Sequence, residues 1–274
     1  MAWRGKGATL EMAENNKAAH VGHDRPYVIL RDVHIDFEVG AARIPRVQYA
    51  LASIFGAGRM SAHSVHALQG VTLDLHDGDR LGIIGPNGAG KTTLLKVMSG
   101  IYWPTSGSVQ TQGRISPLFE MATGFEMESS GWDNIITRGL LLGMSLSEIR
   151  RKMPEIAEFS ELGDFLSLPV RCYSTGMFLR LAFSISTAIE PQILLLDEII
   201  GAGDLSFYTK ARARMMELVE RSAVLVLVSH SLPVVEEMCN RAIWLRDGLI
   251  VAEGNPSDVI AAYSGGQAAP QPVS

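Results

Sequence analysis

A glycine-rich stretch that ends in a lysine and two threonines is the part of this sequence best suited to chemistry. It reads GPNGAGKTT, follows an apolar strand at residues 81–84, and leads into the helical sequence LLKVMSG. Glycines let backbone amides curl around phosphate oxygens, and the N-terminus of the following helix adds a favourable field. The pattern G-x-x-x-x-G-K-[ST] in this strand–loop–helix setting predicts a nucleotide site. The nucleotide-binding residues that it predicts are Gly85, Pro86, Asn87, Gly88, Ala89, Gly90, Lys91, Thr92 and Thr93, called the P-loop below.

A second motif supplies the acids that such a site needs. The apolar strand at residues 193–196 is followed directly by Asp197 and Glu198. We expect Lys91 to reach the β and γ phosphates, and the Thr92 hydroxyl to hold Mg²⁺ together with Asp197, the latter through water. Glu198 would orient or deprotonate the attacking water. Acids at strand ends are common, so this interpretation depends on the P-loop lying on a neighbouring strand.

Two further segments have both a structural and a functional interpretation. The strand AVLVLV is followed by Ser229 and His230. A lone histidine at a strand end is usually structural, but at the carboxyl edge of the same sheet it could contact the γ-phosphate. The segment CYSTGMFLRLAF places Ser174 before an apolar helical pattern, where serine is a preferred helix cap. On those residues alone, a plain cap is the simpler interpretation.

The composition is that of an ordinary globular protein. The chain has 274 residues, of which 47% are hydrophobic and 19% charged, and this length suits one or two domains. Its formal net charge of −5 argues against a broad basic surface, so we expect no nucleic-acid partner. Cys172 and Cys239 form no CxxC pair, and we expect both to be small buried residues. The apolar runs are far shorter than the roughly 20 residues of a membrane-spanning helix, so we expect a chain that does not cross a membrane.

Short apolar strands alternate with helices along most of the chain. This order indicates an α/β fold with a parallel sheet covered on both faces. Tyr27–Val39 reads as a strand, residues 125–170 read as helical, and Asp247-Gly248 marks a final hairpin. The acid-free segment between Val39 and Leu73 either touches lipid head groups or a membrane partner, or is a solvated loop. By composition, residues 1–25 and 265–274 are expected to be flexible tails.

The order of the motifs resembles that of ATP-binding subunits of ABC transporters. It runs from the P-loop through a helical insertion, YSTGM followed by a helix, LLLDE, GAGD and VSH, and the match spans residues 27–263. The resemblance implies a P-loop NTPase core with a mainly parallel sheet, an antiparallel β subdomain and a helical signature subdomain. The nucleotide-binding domain would occupy residues 26–264, with the helical subdomain at about 121–190. ATP and Mg²⁺ are the cofactors that it implies.

Within that family, four features resemble the ATPases that energise export of lipid-linked polysaccharides such as O-antigen, capsule and teichoic acid. They are YSTGM with RLAFS after it, GAGD after the acid pair, ELGDFLSLPV, and SPLFEMATGFEMESSGWDNI. The expected function is therefore ATP hydrolysis coupled to export through a separate permease at the cytoplasmic face of the inner membrane. The alternatives are the ATPase of a drug or other lipid exporter, and a soluble ABC ATPase that acts outside transport.

The resemblance also implies roles for individual residues. Subunits of this family pair head to tail, so Ser174 and Gly176 would contact ATP held by the other copy of a homodimer. Asp204 would fill the D-loop role, and His230 the switch role. Phe37 lies where an aromatic residue usually stacks on adenine, although an aromatic residue in a strand is more often part of a core.

Two departures from the family pattern matter. Most of the family has glutamine in the loop that leads to the helical subdomain, whereas the nearest candidate here is Glu120. Two alternatives stay open: Glu120 binds Mg²⁺, or it has no contact with the ion. Some polysaccharide-exporting ATPases carry an extra C-terminal carbohydrate-binding domain. This sequence stops soon after IAAYSGG, so we expect no such domain and no selection of substrate through it.

Overall fold

The computed structural model describes residues 25–39, 63–197 and 205–266. Glu198 and Asp204 lie outside the described residues. So do most of the acid-free segment at 39–73, nearly all of the expected tail at 1–25, and most of the tail at 265–274.

Nine strands and seven α-helices are formed within the described ranges. The strands are β1 (Tyr27–Val39), β2 (His63–His76), β3 (Arg80–Ile84), β4 (Ser106–Gln112), β5 (Ile115–Pro117), β6 (Ile193–Asp197), β7 (Val224–Val228), β8 (Arg241–Arg246) and β9 (Leu249–Gly254). The helices are α1 (Lys91–Met98), α2 (Gly131–Leu141), α3 (Leu146–Ser160), α4 (Thr175–Ser186), α5 (Leu205–Arg221), α6 (Leu232–Met238) and α7 (Pro256–Gly265). Two short 3-10 helices, Gly163–Ser167 and Val170–Cys172, lie between α3 and α4.

The larger sheet has the order β5-β6-β7-β3-β8-β9. Its first five strands are parallel, and β9 pairs antiparallel with β8. All five residues of β7 are buried, as expected for an inner strand covered on both faces. Since parallel strands end at the same edge, the residues after β3, β6 and β7 are brought to one side of the molecule.

A smaller antiparallel sheet has the order β2-β1-β4. Along β1, Val28, Leu30, Val33 and Ile35 are buried, and they join the core cluster that also contains the inner residues of β3 and α1. The two sheets therefore share one core, which fixes β2 beside the P-loop. Together the two sheets and the covering helices confirm the expected α/β fold with an antiparallel portion.

Helices α2, α3 and α4 form a separate helical unit with its own apolar cluster. Ile135, Ile149, Ile156, Leu181 and Ile185 are all buried in it. The helices begin at Ser130, Ser145 and Ser174, whose side chains each accept a hydrogen bond from a backbone amide of the first turn. The region 125–170 reads as helical throughout in the sequence, but the structure divides it into two α-helices, a short 3-10 helix and the turns between them.

An ion pair ties the helical unit to the sheet. Arg114, just before β5, donates to both carboxylate oxygens of Glu148 on α3, at 2.9 and 3.1 Å. The Arg114 hydrogen bonds hold the pKa of Glu148 below its usual value. The pair adds a polar link between two parts of the fold that also meet through Phe183 of α4, which is buried in the apolar cluster of the larger sheet.

The two cysteines differ, which corrects the expectation that both are buried. Cys239 is buried, and burial raises the pKa of its thiol to about 12. Cys172 is exposed, because it lies in the turn before α4 rather than against the core. Across the described residues, no helix is both long enough and apolar enough to span a membrane.

Candidate functional site

The P-loop lies at the carboxyl end of β3, and its backbone requires glycine at two positions. Gly85 and Gly90 have φ angles of 149° and 102°, which side chains rarely allow. A Cβ atom at Gly85 would lie 2.1 Å from the carbonyl oxygen of Leu245, and one at Gly90 would lie 2.5 Å from that of Ala67. The loop is therefore wedged between β8 and β2, so its shape is fixed from both sides.

Lys91 begins α1 and is almost completely buried, with 7% of its surface exposed. Its Nζ donates to the carbonyl oxygens of Gly85 and Pro86, at 2.8 and 2.9 Å. The ammonium group thus lies against its own loop. A buried cation beside a glycine-rich loop is well suited to bind an anion.

Thr92 and Asp197 meet although they are far apart in sequence. The Thr92 hydroxyl donates to Oδ2 of Asp197 at 2.7 Å. Hydroxyl and carboxylate oxygens are hard donors of the kind that Mg²⁺ prefers. These two residues fit the Mg²⁺ ion that the sequence predicts, and they lie where β6 and α1 face each other.

A cavity of about 570 Å³ opens above the P-loop. That volume is within the range of small-molecule sites. Its described lining consists of Val65, His66, Ala67, Asn87, Gly88, Gly90, Lys91, Thr92, Thr93, Phe119, Asp197 and His230. Most of the P-loop therefore lines one cavity with Asp197 and His230. Gly85, Pro86 and Ala89 are not part of the described lining.

Four lining residues were missed by sequence reasoning. Val65, His66 and Ala67 come from β2, and Phe119 comes from the segment after β5. The sequence carries only a weak signal for these residues. His63 and His66 lie in the acid-free segment, and their strand pairs with β1, which carries Phe37. Only the tertiary structure shows that β2 lies against the P-loop, through the close approach of Ala67 to Gly90.

Phe37 lies on β1 opposite Val65. Its side chain is 38% exposed, so the alternative that it belongs to the core does not hold. The ring packs edge-on against Tyr102, with centroids 5.6 Å apart. Phe37 is not part of the described cavity lining, but its cross-strand neighbour Val65 is. Stacking on adenine stays a prediction.

Glu120 is held by a cation of α1. Its carboxylate is 2.8 Å from Nζ of Lys96 and also accepts a hydrogen bond from Thr123. The hydrogen bond from Lys96 is the main cause that lowers the pKa of Glu120. The described cavity lining includes its neighbour Phe119 but not Glu120 itself. A role as Mg²⁺ ligand stays a prediction.

The segment Tyr173 to Met177, which we call the signature segment, lies at the start of α4. Ser174 caps the helix, since its Oγ accepts a hydrogen bond from the Met177 amide at 3.2 Å. Ser174 and Gly176 are exposed, whereas Tyr173 is half-buried and donates to the Phe165 carbonyl at 2.8 Å. The described cavity lining contains none of these residues. Within one chain, the structure does not bring the signature segment to the P-loop.

Comparison with known proteins gives consistent results. A family model described as "ABC transporter" matches residues 68–201. An O-antigen export system ATP-binding protein of Myxococcus xanthus is 46% identical over 202 residues, which are 74% of this chain but only 46% of that protein. Another, from Yersinia enterocolitica, is 40% identical over 231 residues, 82% of this chain and 97% of that protein. A teichoic acids export ATP-binding protein of Listeria innocua is 39% identical, over 78% of this chain and 63% of that protein.

Solved structures agree on the fold. A dimeric ATP-binding cassette in a post-hydrolysis state, bound to ADP and phosphate, superposes with a TM-score of 0.61 at 22% identity. The alignment covers 84% of this chain and 98% of that one. The resemblance that the sequence motifs predict is confirmed: this chain belongs to the ABC transporter family.

Proposed function

We propose that this chain is the ATP-binding and ATP-hydrolysing subunit of an exporter of lipid-linked polysaccharide. The observation that carries the proposal is the meeting of Lys91, Thr92 and Asp197 in one cavity, with Thr92 Oγ1 2.7 Å from the Asp197 carboxylate. A buried lysine on a glycine loop binds polyphosphate, and a hydroxyl beside a carboxylate binds the metal ion that accompanies it. The site therefore has the two binding elements that ATP with Mg²⁺ requires.

Each residue of the site has a distinct task. Lys91 donates to β and γ phosphate oxygens, which compensates their charge. Thr92 and Asp197 hold Mg²⁺, which when bound neutralises part of the phosphate charge. Glu198 follows Asp197 directly and would orient or deprotonate the attacking water. His230, two residues after the end of β7, lines the cavity at the edge where the γ-phosphate would lie.

The other half of the site comes from a second copy of the chain. Ser174 and Gly176 are exposed at the N-terminus of α4, where unpaired amides and the helix dipole attract an anion. Their distance from the P-loop cavity of their own chain supports a head-to-tail homodimer, in which each signature segment faces the γ-phosphate bound by the partner. Asp204 would lie in the same interface.

The nature of the cargo is inferred from relatives. Proteins named for O-antigen export and for teichoic acid export are 39–46% identical to this chain. These names agree with the four sequence features that resemble polysaccharide-exporting ATPases, so we propose a lipid-linked polysaccharide, exported through a separate integral membrane permease. The subunit would act at the cytoplasmic face of the inner membrane, attached through that permease.

Replacement of Lys91 by alanine tests the nucleotide site. Loss of two or more charge-assisted hydrogen bonds should weaken ATP binding by about 100-fold or more, measured by calorimetry. Lys152→Ala, on α3 of the helical unit, is the matched control and should bind ATP as the unaltered chain does. Unchanged ATP affinity in Lys91→Ala would rule out the assignment of the site.

Complementation tests the cargo. Cells that lack this gene should retain lipid-linked polymer inside, and the unaltered gene should restore polymer at the cell surface, whereas Lys91→Ala should not. Normal surface polymer in the deletion strain, together with retention of a drug or of another lipid, would favour the alternative exporter instead.

A further inference from the structure

Strand β2 forms one wall of the nucleotide cavity. The carbonyl of Ala67 lies so close to the P-loop that only glycine fits at position 90. Val65 and His66, the two residues before Ala67, also line the cavity. The packing of β2 on the P-loop therefore fixes the backbone of His66 at the cavity wall.

The His66 ring is held in one orientation. Its Nδ1 is 2.6 Å from Oδ1 of Asp36, the residue opposite it on β1. A carboxylate only accepts hydrogen bonds, so Nδ1 carries the proton and Nε2 is left to interact elsewhere. The Ser64 hydroxyl is 3.3 Å from Nε2, and it can rotate away from it. Asp36 thus fixes the tautomer as well as the direction of the ring.

The order of residues along β2 indicates which part of the nucleotide His66 would meet. Val65 pairs with Phe37, the predicted adenine-stacking residue, and Ala67 contacts Gly90 beside the phosphates. His66 lies between them on the strand. In ATP, the ribose lies between the base and the phosphates.

We propose that His66 hydrogen-bonds a ribose hydroxyl of the bound nucleotide, with Asp36 as the positioning residue that orients its ring. The inference rests on the proposed function, because it assumes that the cavity holds ATP. A hydroxyl both donates and accepts, so it pairs with Nε2 whether that nitrogen is protonated or not. His66 therefore gives the site a preference for a ribonucleotide.

Dissociation constants for ATP, 2′-deoxy-ATP and 3′-deoxy-ATP test this proposal. The unaltered chain should bind ATP about 2- to 10-fold more tightly than one of the deoxy analogues, which is the value of one neutral hydrogen bond. His66→Ala should lose that factor for ATP and bind the same analogue with unchanged affinity. His76→Ala is the matched control, since His76 is exposed at the far end of the same strand and should leave all three constants unchanged.

Asp36→Ala tests the positioning role. It should reduce the preference for ribose without abolishing it, because the imidazole is still present but less ordered. His66→Gln, which retains a hydrogen-bonding group of similar reach, should recover part of the preference. A side chain that only supported the fold would change the melting temperature and leave the ratio of ATP to deoxy-ATP affinity as it was.

Two results would overturn the proposal. Equal weakening of all three nucleotides by His66→Ala would show that the side chain supports the cavity wall and does not read ribose. No preference for ATP in the unaltered chain would show that the ribose is not recognised there. In both cases tight ATP binding that depends on Lys91 would leave the proposed function intact, whereas a chain that binds no nucleotide would remove both proposals.

Discussion

Two helix N-termini in this molecule are suited to phosphate, and they differ in what surrounds them. Helix α1 begins after Gly90, which has no side chain to cap it, and its first residue is nearly buried in the cavity wall. Helix α4 is capped by its own Ser174, and its first turn is exposed. The first-turn amides are therefore enclosed at α1 and exposed to solvent at α4.

This difference indicates how the two segments are used. The first-turn amides of α1 face a cavity whose lysine, hydroxyl and carboxylate all come from the same chain. The amides of α4 have a serine cap but no such cavity of their own within the described residues. An enclosed N-terminus can bind its ligand alone, whereas an exposed one needs a second surface to exclude water.

The largest expected effect is on hydrolysis, at the enclosed end. Glu198→Gln removes the group that activates water, so ATP turnover with the permease should fall by about 10²- to 10⁴-fold while ATP binding remains. A nucleotide-loaded dimer should then accumulate, which size-exclusion chromatography with ATP would detect. Undiminished turnover would exclude this role for Glu198.

Gly176→Ala tests the exposed end without disturbing the fold. Among the described residues, only Ser174 Oγ, 3.9 Å away, would lie within 4 Å of an added Cβ. The melting temperature should therefore stay the same or rise slightly, since alanine favours helix. Turnover should still fall by about 10- to 100-fold, because the methyl group would stand between the helix amides and the partner's γ-phosphate. Full activity would mean that α4 does not approach phosphate.

Ser174→Ala and Ser145→Ala separate capping from catalysis. Both serines accept a hydrogen bond from an amide three residues later, at 3.2 Å, and both belong to the helical unit. Each change should lower the free energy of unfolding by about 1 kcal/mol. Only Ser174→Ala should also reduce ATP turnover, by about 10-fold. Equal loss of turnover in both variants would show that Ser174 acts only as a helix cap and has no role in catalysis.

The smallest expected effect is on stability, at Glu120, which forms an ion pair with Lys96 of α1. Because Lys96 lowers the pKa of Glu120 below its ordinary 4.5, the ion pair stabilises the fold above that pH and the contribution is lost as the pH falls through the lowered pKa. Glu120→Gln should therefore cost up to about 1 kcal/mol at pH 7 and less at pH 3, as the pH falls toward the lowered pKa, in denaturant titrations.

Glu128→Gln is the control for that measurement, since its ion pair with Arg171 is far more exposed and should matter less at either pH. The Mg²⁺ concentration needed for half-maximal hydrolysis provides a separate test of Glu120. A higher requirement in Glu120→Gln would support the metal role, and an unchanged one would leave only the ion pair with Lys96.

The elements that the sequence predicts best are those with local signals. The first strand occupies Tyr27–Val39 as expected, and the final hairpin turns at Asp247 and Gly248, whose φ angles of 50° and 76° are those of the tight turn that this pair favours. The region 125–170 was less well predicted, because an apolar helical period continues through turns whose boundaries depend on serine caps and packing. Its α-helices occupy Gly131–Leu141 and Leu146–Ser160, and a short 3-10 helix occupies Gly163–Ser167.

Contacts between distant segments that belong to no recognisable motif were beyond sequence reasoning. Nothing local shows that Lys96 pairs with Glu120, or that Asp36 holds His66, since each pair joins separate elements. The exposure of Cys172 was missed for the same reason, because its residue type favours burial and only the turn before α4 places it outside.

The sequence by itself determined the P-loop, the acid pair and the serine cap, because each depends on residue types at short spacing within one strand, loop or helix. Tertiary structure alone decided that Thr92 touches Asp197, that β2 walls the cavity with His66, and that the signature segment is apart from the P-loop. Those facts depend on strand order and on the packing of two sheets into one core. Such packing brings together residues more than a hundred positions apart, and no local pattern records it.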